Sequence, residues 1–301
     1  MSHQVAEDLN HFTVSDLIFY RKGKFSLEFH YPFDFNEFLV ASASSPADVV
    51  TFVDFASGMC VPDSVSPRIR AEQDDAAVLE ISTYEDWWNN AEKRTRNMVR
   101  RASKCGVQVR LVDVDEQLIE GAYQIYNETR IRQGRLYVGY GTRKEHLRER
   151  FFGLRDPQLI GAFHQGRMVA LMHLICGNSV AAVRTNLISV GSRNTLPNNA
   201  GIGYALVAAA IERCSKLGIR RIVYGKLGWQ PGLDFFKRSI GFEKKIVPRY
   251  YLPFTRRGTE AMRLGLHREA WMLLPRVLGT NVFPIVDSLA TIKEWSAHGR
   301  E

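Results

Sequence analysis

From Val78 to Tyr251 the hydrophobic positions switch repeatedly between a two-residue and a 3.6-residue period, and each switch marks a new strand or helix. Val78-Leu79-Glu80-Ile81 predicts a short strand. Ser82 or Thr83 then caps a helix that packs Trp87 and Trp88 onto the sheet, runs to Lys104 and stops at Gly106. A strand follows over Val107 to Val112, then helices over about Asp115 to Arg132 and Arg143 to Phe152. Leu159 to His164, Met168 to Ile175 and Val180 to Val190 read as three strands joined by hairpin turns at Gln165-Gly166 and Gly177-Asn178. A long helix comes next, with Leu206, Ala210, Cys214 and Leu217 as its apolar stripe, Glu212, Arg213 and Lys216 on its polar side, and Gly218 at its end. The pattern closes with a strand at Arg221 to Tyr224, a short helix at about Gly232 to Ser239, and a strand at Lys244 to Tyr251 that Pro253 ends.

The flanks are less regular. Leu17 to Tyr20 and Phe25 to Phe29 are β-rich runs joined by Lys22-Gly23-Lys24, which reads as a hairpin. Ala47 to Phe55 predicts a short helix, and Pro62 to Asp75 a linker. Thr259 to Glu301 reads as amphipathic helices, whose basic residues suit packing onto the domain or lying on an anionic membrane. Three divisions follow: a β-rich extension over 1–76, a central domain over 77–255 and a helical tail over 256–301.

Composition narrows the class. With 301 residues and 45% hydrophobic content the chain can bury a sizeable core. Its net charge of +8 favours anionic ligands, yet is too mild to define a nucleic-acid binder by itself. That charge is concentrated: Lys93, Arg94, Arg96, Arg100, Arg101, Lys104 and Arg110 stand against Glu92 alone, giving +6 between Ala91 and Arg110. On a helix Lys93, Arg96, Arg100 and Lys104 line one side, either as a dock for an anionic partner such as tRNA or CoA phosphates, or as a solvated face. Cys60, Cys105, Cys176 and Cys214 form no C-x-x-C pair, which suits free thiols in a reducing compartment. Met1 to Asn10 is polar and acidic, unlike a signal peptide, and no apolar run approaches the roughly 18 residues of a membrane span. The expectation is a cytoplasmic protein, with a membrane-peripheral position open through the tail.

Two segments carry candidate chemistry. Asn198-Asn199-Ala200-Gly201-Ile202-Gly203 is a glycine-rich turn opening a helix, where bare amides and the helix dipole attract phosphate. The run Asn127 to Gly141 holds Arg130, Arg132, Arg135, Tyr137 and Tyr140 among three glycines, suiting a pocket for an anionic acceptor. No Ser-His-Asp or Cys-His arrangement has a recognisable context, and His146, His164 and His173 are too scattered to predict a metal site.

The element order β-α-α-β-β-β-α-β-α-β from Val107 to Tyr251, with the glycine turn after the fourth strand, resembles the GNAT acyltransferase superfamily over about half the chain. That resemblance implies an α/β fold with a mixed, mostly antiparallel central sheet and flanking helices. It also implies acyl-CoA, with acetyl-CoA foremost, as donor, an amine or hydroxyl of a small or sugar-linked molecule as acceptor, and no metal. Asn199, Gly201, Ile202 and Gly203 would hold the pyrophosphate, although Asn198 stands where the family has Gln or Arg. A backbone amide near Ser189 or Val190 would polarise the thioester carbonyl. Phe235-Phe236-Lys237-Arg238-Ser239-Ile240-Gly241-Phe242 matches the family's fourth helix, with Lys237 where many acetyltransferases carry a tyrosine acid. Lys237 and the basic run from Lys93 resemble the Fem-like branch, which implies an alternative: transfer from aminoacyl-tRNA to a cell-envelope precursor. Tyr224 is then the expected proton donor. Lys226 would contact phosphate or acceptor, and Arg130, Arg132, Arg135, Tyr137 and Lys237 the acceptor. A catalytically inactive adaptor with the same fold is the third reading.

Overall fold

A computed structural model of the chain describes residues 12–16, 21–25, 39, 46–55, 68–132, 135–137, 139–154, 156–196, 200–228 and 230–267. These group into two compact units, residues 1–74 with 247–301, and residues 75–246. The first and last segments thus group together, where the sequence pattern separates them.

In the unit built from both ends, β1 (Phe12–Asp16) pairs antiparallel with β2 (Arg21–Phe25), and β2 runs parallel to β3 (Val49–Val53). Lys22-Gly23-Lys24 therefore lies inside a strand, and the hairpin turn falls at 17–20, outside the described residues. The helix expected over Ala47 to Phe55 is instead the strand β3, every residue of which is buried. Val49, Val50, Thr51 and Val53 are β-branched, a stiffness that suits a pleated strand better than a helix. β3 pairs with the end of β12 (Glu243–Pro253), from Val53 opposite Arg249 to Val49 opposite Pro253. Thr255 caps α8 (Arg256–Arg263), which buries Ala261 and Met262 against Val49 and Tyr251.

The linker expected through Asp75 is partly strand, since β4 (Arg70–Glu80) begins at Arg70. In the unit 75–246 its second half starts a sheet ordered β4, β11 (Arg221–Val223), β10 (Val180–Ile188), β9 (Arg167–Cys176), β8 (Gln158–His164) and β5 (Gln108–Leu111). Every neighbouring pair is antiparallel except β10 with β11. The β8–β9 turn uses positive φ at Gln165 and Gly166, as the Gln-Gly pair predicts.

The helix expected from Thr83 to Lys104 is two: α1 (Tyr84–Asn90) and α2 (Lys93–Lys104), broken at Ala91 with φ −62° and ψ 145°. Each half is tied to the last turn of α7 (Pro231–Ile240). Trp87 Nε1 donates to the Ile240 carbonyl at 3.0 Å, and Thr95 Oγ1 donates to the Ser239 carbonyl. Those carbonyls have no partner within their own helix, so the break lets two side chains satisfy them from two directions. α1, α2, α7 and α6 (Ile202–Lys216) cover one face of the sheet around Leu206, Ile211 and Phe242. α3 (Glu116–Tyr126) and α4 (Lys144–Phe152) cover the other around Ile119, Leu147 and Leu171. α3 stops at Tyr126 rather than Arg132, because the chain turns there into a two-residue hairpin, β6 (Ile131–Arg132) with β7 (Arg135–Leu136). A one-and-a-half-turn helix that the pattern does not predict, α5 (Val190–Thr195), follows β10.

β10 and β11 are paired only from Val180 opposite Arg221 to Ala182 opposite Val223. Past that point β11 ends while β10 continues to Ile188, so the two strands part.

Candidate functional site

The gap between β10 and β11 is bridged by side chains. Tyr224 follows β11 directly and is anchored to β4, its amide donating to the Ala77 carbonyl at 2.8 Å. Asn186, on the part of β10 that pairs with β9 but extends beyond β11, donates from Nδ2 to the Tyr224 hydroxyl at 2.8 Å. The hydroxyl therefore accepts from the protein and keeps its own proton to give. Burial pushes the Tyr224 phenol up to about 12, against a smaller downward pull from Asn186, so it stays protonated at neutral pH. Asn186 Oδ1 is buried with no partner among the described residues.

Lys237 projects from α7 into the same place. It is 3% exposed, its Nζ donates to the Lys226 carbonyl at 2.9 Å, and it lies 4.6 Å from the centre of the Tyr224 ring. Burial pulls its ammonium down to about 8, which Asp234 partly opposes. Among the described residues no carboxylate forms an ion pair with Lys237; the Tyr224 ring face and one carbonyl hold the charge. Tyr224, expected to be catalytic, thus meets Lys237, expected at the acceptor, while Lys226, the other expected catalytic residue, adds its backbone carbonyl.

The glycine turn is built differently from its sequence reading. Gly201 caps α6 at φ 69°, and a methyl group on it would lie 2.1 Å from the Met98 carbonyl of α2. The missing side chain makes room for the protein's own backbone rather than for a phosphate. Ile202 is 1% exposed, within the core. Gly203 is looser: a methyl there would touch Ile188 and the Phe236 ring at 3.4 Å. Asn199 lies outside the described residues.

The amides expected to polarise a carbonyl are likewise engaged. Ser189 N–H donates to the Val169 carbonyl at 2.8 Å, and Val190 N–H to Glu128 Oε2 at 2.6 Å. Glu128 also takes the Gly191 amide and the Ser189 hydroxyl, so its carboxylate supplies the negative charge that the head of α5 attracts. With their hydrogens spent, Ser189 and Val190 offer no free oxyanion donor here.

In the acceptor loop, Arg132 is a clamp rather than a free ligand. Its guanidinium donates to the Ile188 carbonyl at 2.7 Å and to the Ile125 carbonyl, and it lies over the Tyr137 ring at 4.6 Å. Arg130 stacks on Tyr140 at 5.2 Å, and Tyr137 packs on Tyr126 with its phenol pushed up by burial. The side chain of Arg135 lies outside the described residues.

The basic run forms the outer face of α2. Lys93, Arg94, Arg100 and Lys104 are exposed, with Arg94 over Phe235 at 4.8 Å and Arg100 over Trp88 at 5.4 Å. Among the described residues no carboxylate forms an ion pair with any of the seven cations. Sequence reasoning missed Glu128, Asn186 and the role of Met98. In the sequence Asn186 shows only as one of three consecutive polar residues, Arg184-Thr185-Asn186, in an otherwise apolar strand.

β10 and β11, a parallel pair inside an otherwise antiparallel sheet, part beside the glycine-opened helix α6, as the resemblance to the GNAT fold implies. Solved structures agree. FemX superposes with a TM-score of 0.56 at 12% identity, over 85% of this chain and 86% of FemX. The C-terminal domain (DUF2156) of a protein assigned as a lysylphosphatidylglycerol synthetase in Agrobacterium fabrum gives 0.51 at 12% identity, over 85% and 84%. L-PGS from Bacillus licheniformis gives 0.50 at 13%, over 86% of each chain. The chain has the fold of the Fem-like branch of the GNAT superfamily. No protein-family model and no curated protein sequence matches it. No helix among the described residues is long and apolar enough to cross a membrane.

Proposed function

We propose that the chain is an acyltransferase that moves an acyl group from an activated ester to an amine or hydroxyl in the β10–β11 gap, without a covalent enzyme intermediate. The observation that carries this reading is Lys237, a buried ammonium with no ion-pair partner among the described residues, set 4.6 Å from the Tyr224 ring. The acceptor's nucleophile attacks the acyl carbon, a new bond to carbon forms, and the carbonyl electrons move onto oxygen. Lys237 stabilises that oxyanion in a low-dielectric setting. As the carbonyl reforms, the ester C–O bond breaks and the Tyr224 hydroxyl passes its proton to the departing oxygen, while the proton shed by the acceptor's nucleophile goes to water, which returns one to the tyrosinate.

For the donor we favour an aminoacyl ester on tRNA. The α2 face offers unpaired cations interleaved with aromatic rings, the chemistry that grips a phosphate backbone. Its resemblance to proteins named FemX and lysylphosphatidylglycerol synthetase supports the same choice. Acyl-CoA is the second reading, supported by the head of α6, which no side chain caps.

One experiment separates them. Labelled aminoacyl-tRNA and labelled acetyl-CoA are each incubated with the protein and with its Lys237→Met variant. Donor breakdown and tRNA retention on a filter are followed as salt is raised. We expect tRNA retention that falls steeply with salt, and ester cleavage that the variant loses. Acetyl-CoA turnover without tRNA retention moves the donor to CoA. Turnover of neither donor rejects the enzymatic reading.

A further inference from the structure

At the far end of α6 from Gly203, its last turn packs on the ends of β8 and β9. Cys214 lies in that turn, fully buried, and Cys176 is the final residue of β9, opposite Ala181 of β10. Neighbouring bonds hold both backbones in place. The Cys214 carbonyl accepts the Ile219 amide at 2.9 Å, and the Gly177 amide donates to the Val180 carbonyl at 2.8 Å. Beside them Arg213 of α6 is tied to β8, its Nε donating to Gln158 Oε1 at 2.8 Å. Cys176 packs against the core cluster that contains Cys214, and the Cys214 thiol hydrogen-bonds to the Cys176 sulfur.

The two sulfurs are in contact but not equivalent. Cys176 is partly exposed, so a small solute can reach it, while Cys214 is sealed behind it. The hydrogen bond from Cys214 draws the Cys176 thiol below its ordinary value; burial opposes that pull and Arg213 adds to it. The same bond, and then burial, push the Cys214 thiol up. The outer sulfur is the one that reaches the thiolate form, and the inner one waits as a thiol.

We propose that Cys176 and Cys214 are a peroxide-reactive dithiol that closes to an internal disulfide. The proposal is independent of the transferase reading. The Cys176 thiolate attacks one oxygen of hydrogen peroxide: an S–O bond forms, the O–O bond breaks, and the departing hydroxide takes up the proton that the thiol released, leaving as water. The Cys214 sulfur then attacks the Cys176 sulfur and passes its proton to the sulfenic hydroxyl. The S–S bond forms as the S–O bond breaks, and a second water leaves. Together the two sulfurs lose two electrons, which reduce one peroxide to two waters. The new bond joins the end of β9 to the last turn of α6, across a long segment that carries α5 and the glycine turn. Restricting that segment in the unfolded chain favours the folded one.

Protein purified under dithiothreitol is treated with hydrogen peroxide at neutral pH, then mapped by differential alkylation and tandem mass spectrometry. We expect a loss of about 2 Da, a peptide pair joined at Cys176 and Cys214, and recovery of both thiols on reduction. In Cys214→Ser, dimedone should trap a sulfenic acid at Cys176; in Cys176→Ser, Cys214 should remain a thiol. Cys105→Ser should form the bond as the parent does. Thermal melts confirm that each variant is folded, and the oxidised parent should melt several degrees above the reduced one. The proposal is overturned if both thiols of the folded parent survive excess peroxide, or if Cys176 oxidises beyond sulfenic acid with Cys214 untouched. A bond from either sulfur to Cys60 or Cys105 instead, or a Cys176–Cys214 bond that lowers the melting temperature, overturns it as well.

Discussion

Asn186 of β10 holds the hydroxyl of Tyr224, 2.8 Å away, across the opening that begins where β11 ends. A phenol fixed in this way has one proton and one direction in which to give it. Replacing Tyr224 with Phe removes that proton while keeping the ring that packs edge-to-face on Phe242 at 5.9 Å. We expect Tyr224→Phe to fold with unchanged melting behaviour and to lose about 10²-fold in kcat for donor cleavage. Full activity in stopped assays of this variant ends Tyr224's role as proton donor.

Lys237 gives the activity a pH signature. Its ammonium is charged below about 8, so kcat/KM should fall as pH rises through that value. A rise through the same range would mean that the neutral amine is the working form, and the oxyanion role would be lost.

Stability should move the opposite way. Because the folded value lies below the ordinary lysine value, the unfolded chain binds the extra proton between about 8 and 10.5, and folding gains as pH rises across that window. The penalty in full at pH 7 is roughly 3 kcal/mol. Urea titrations of Lys237→Met, which carries no such proton, should show a shallower pH dependence than the parent and no loss of stability at pH 7.

His173 predicts the acid limb. Its imidazole is neutral in the fold down to about 4, while the unfolded chain takes up a proton near 6.5. Stability should therefore be lost as pH falls from 6.5 to 4, by roughly 3 kcal/mol from this residue alone. Denaturation of His173→Gln over the same range should lack that component.

Gly201 and Gly203 should behave unlike each other. Alanine at 201 meets both a positive φ and the Met98 carbonyl, and should cost about 2–5 kcal/mol without any ligand present. Alanine at 203 meets only side-chain atoms at 3.4 Å and should cost less than about 1 kcal/mol. Equal, small losses in urea denaturation would return Gly201 to the role of a ligand-binding glycine.

Much of the sheet is legible in the sequence because local chemistry sets it. Gln165-Gly166 supplies a tight turn, Thr83 caps α1 through the Asp86 amide at 3.0 Å, and Gly218 ends α6 with a positive φ. What stays hidden depends on contacts far along the chain. Glu128 looks like an ordinary loop residue, yet it serves amides more than sixty positions away. The break at Ala91 has no Gly or Pro to announce it; its cause lies in the carbonyls of Ser239 and Ile240. The β-branched run of β3 leans towards a strand, but a short apolar run has no period of its own to separate it from a buried helix until its neighbours are known. In the site, Tyr224 is legible as a strand-end residue, but its partner Asn186 is brought there only by the parting of two strands.

The seat of the Met98 carbonyl on Gly201 also has a consequence for the outside of the molecule. It fixes the roll angle of α2, and with it the compass bearing of Arg94, Arg100 and Lys104. One hydrogen atom in place of a methyl thus decides which way these cations face.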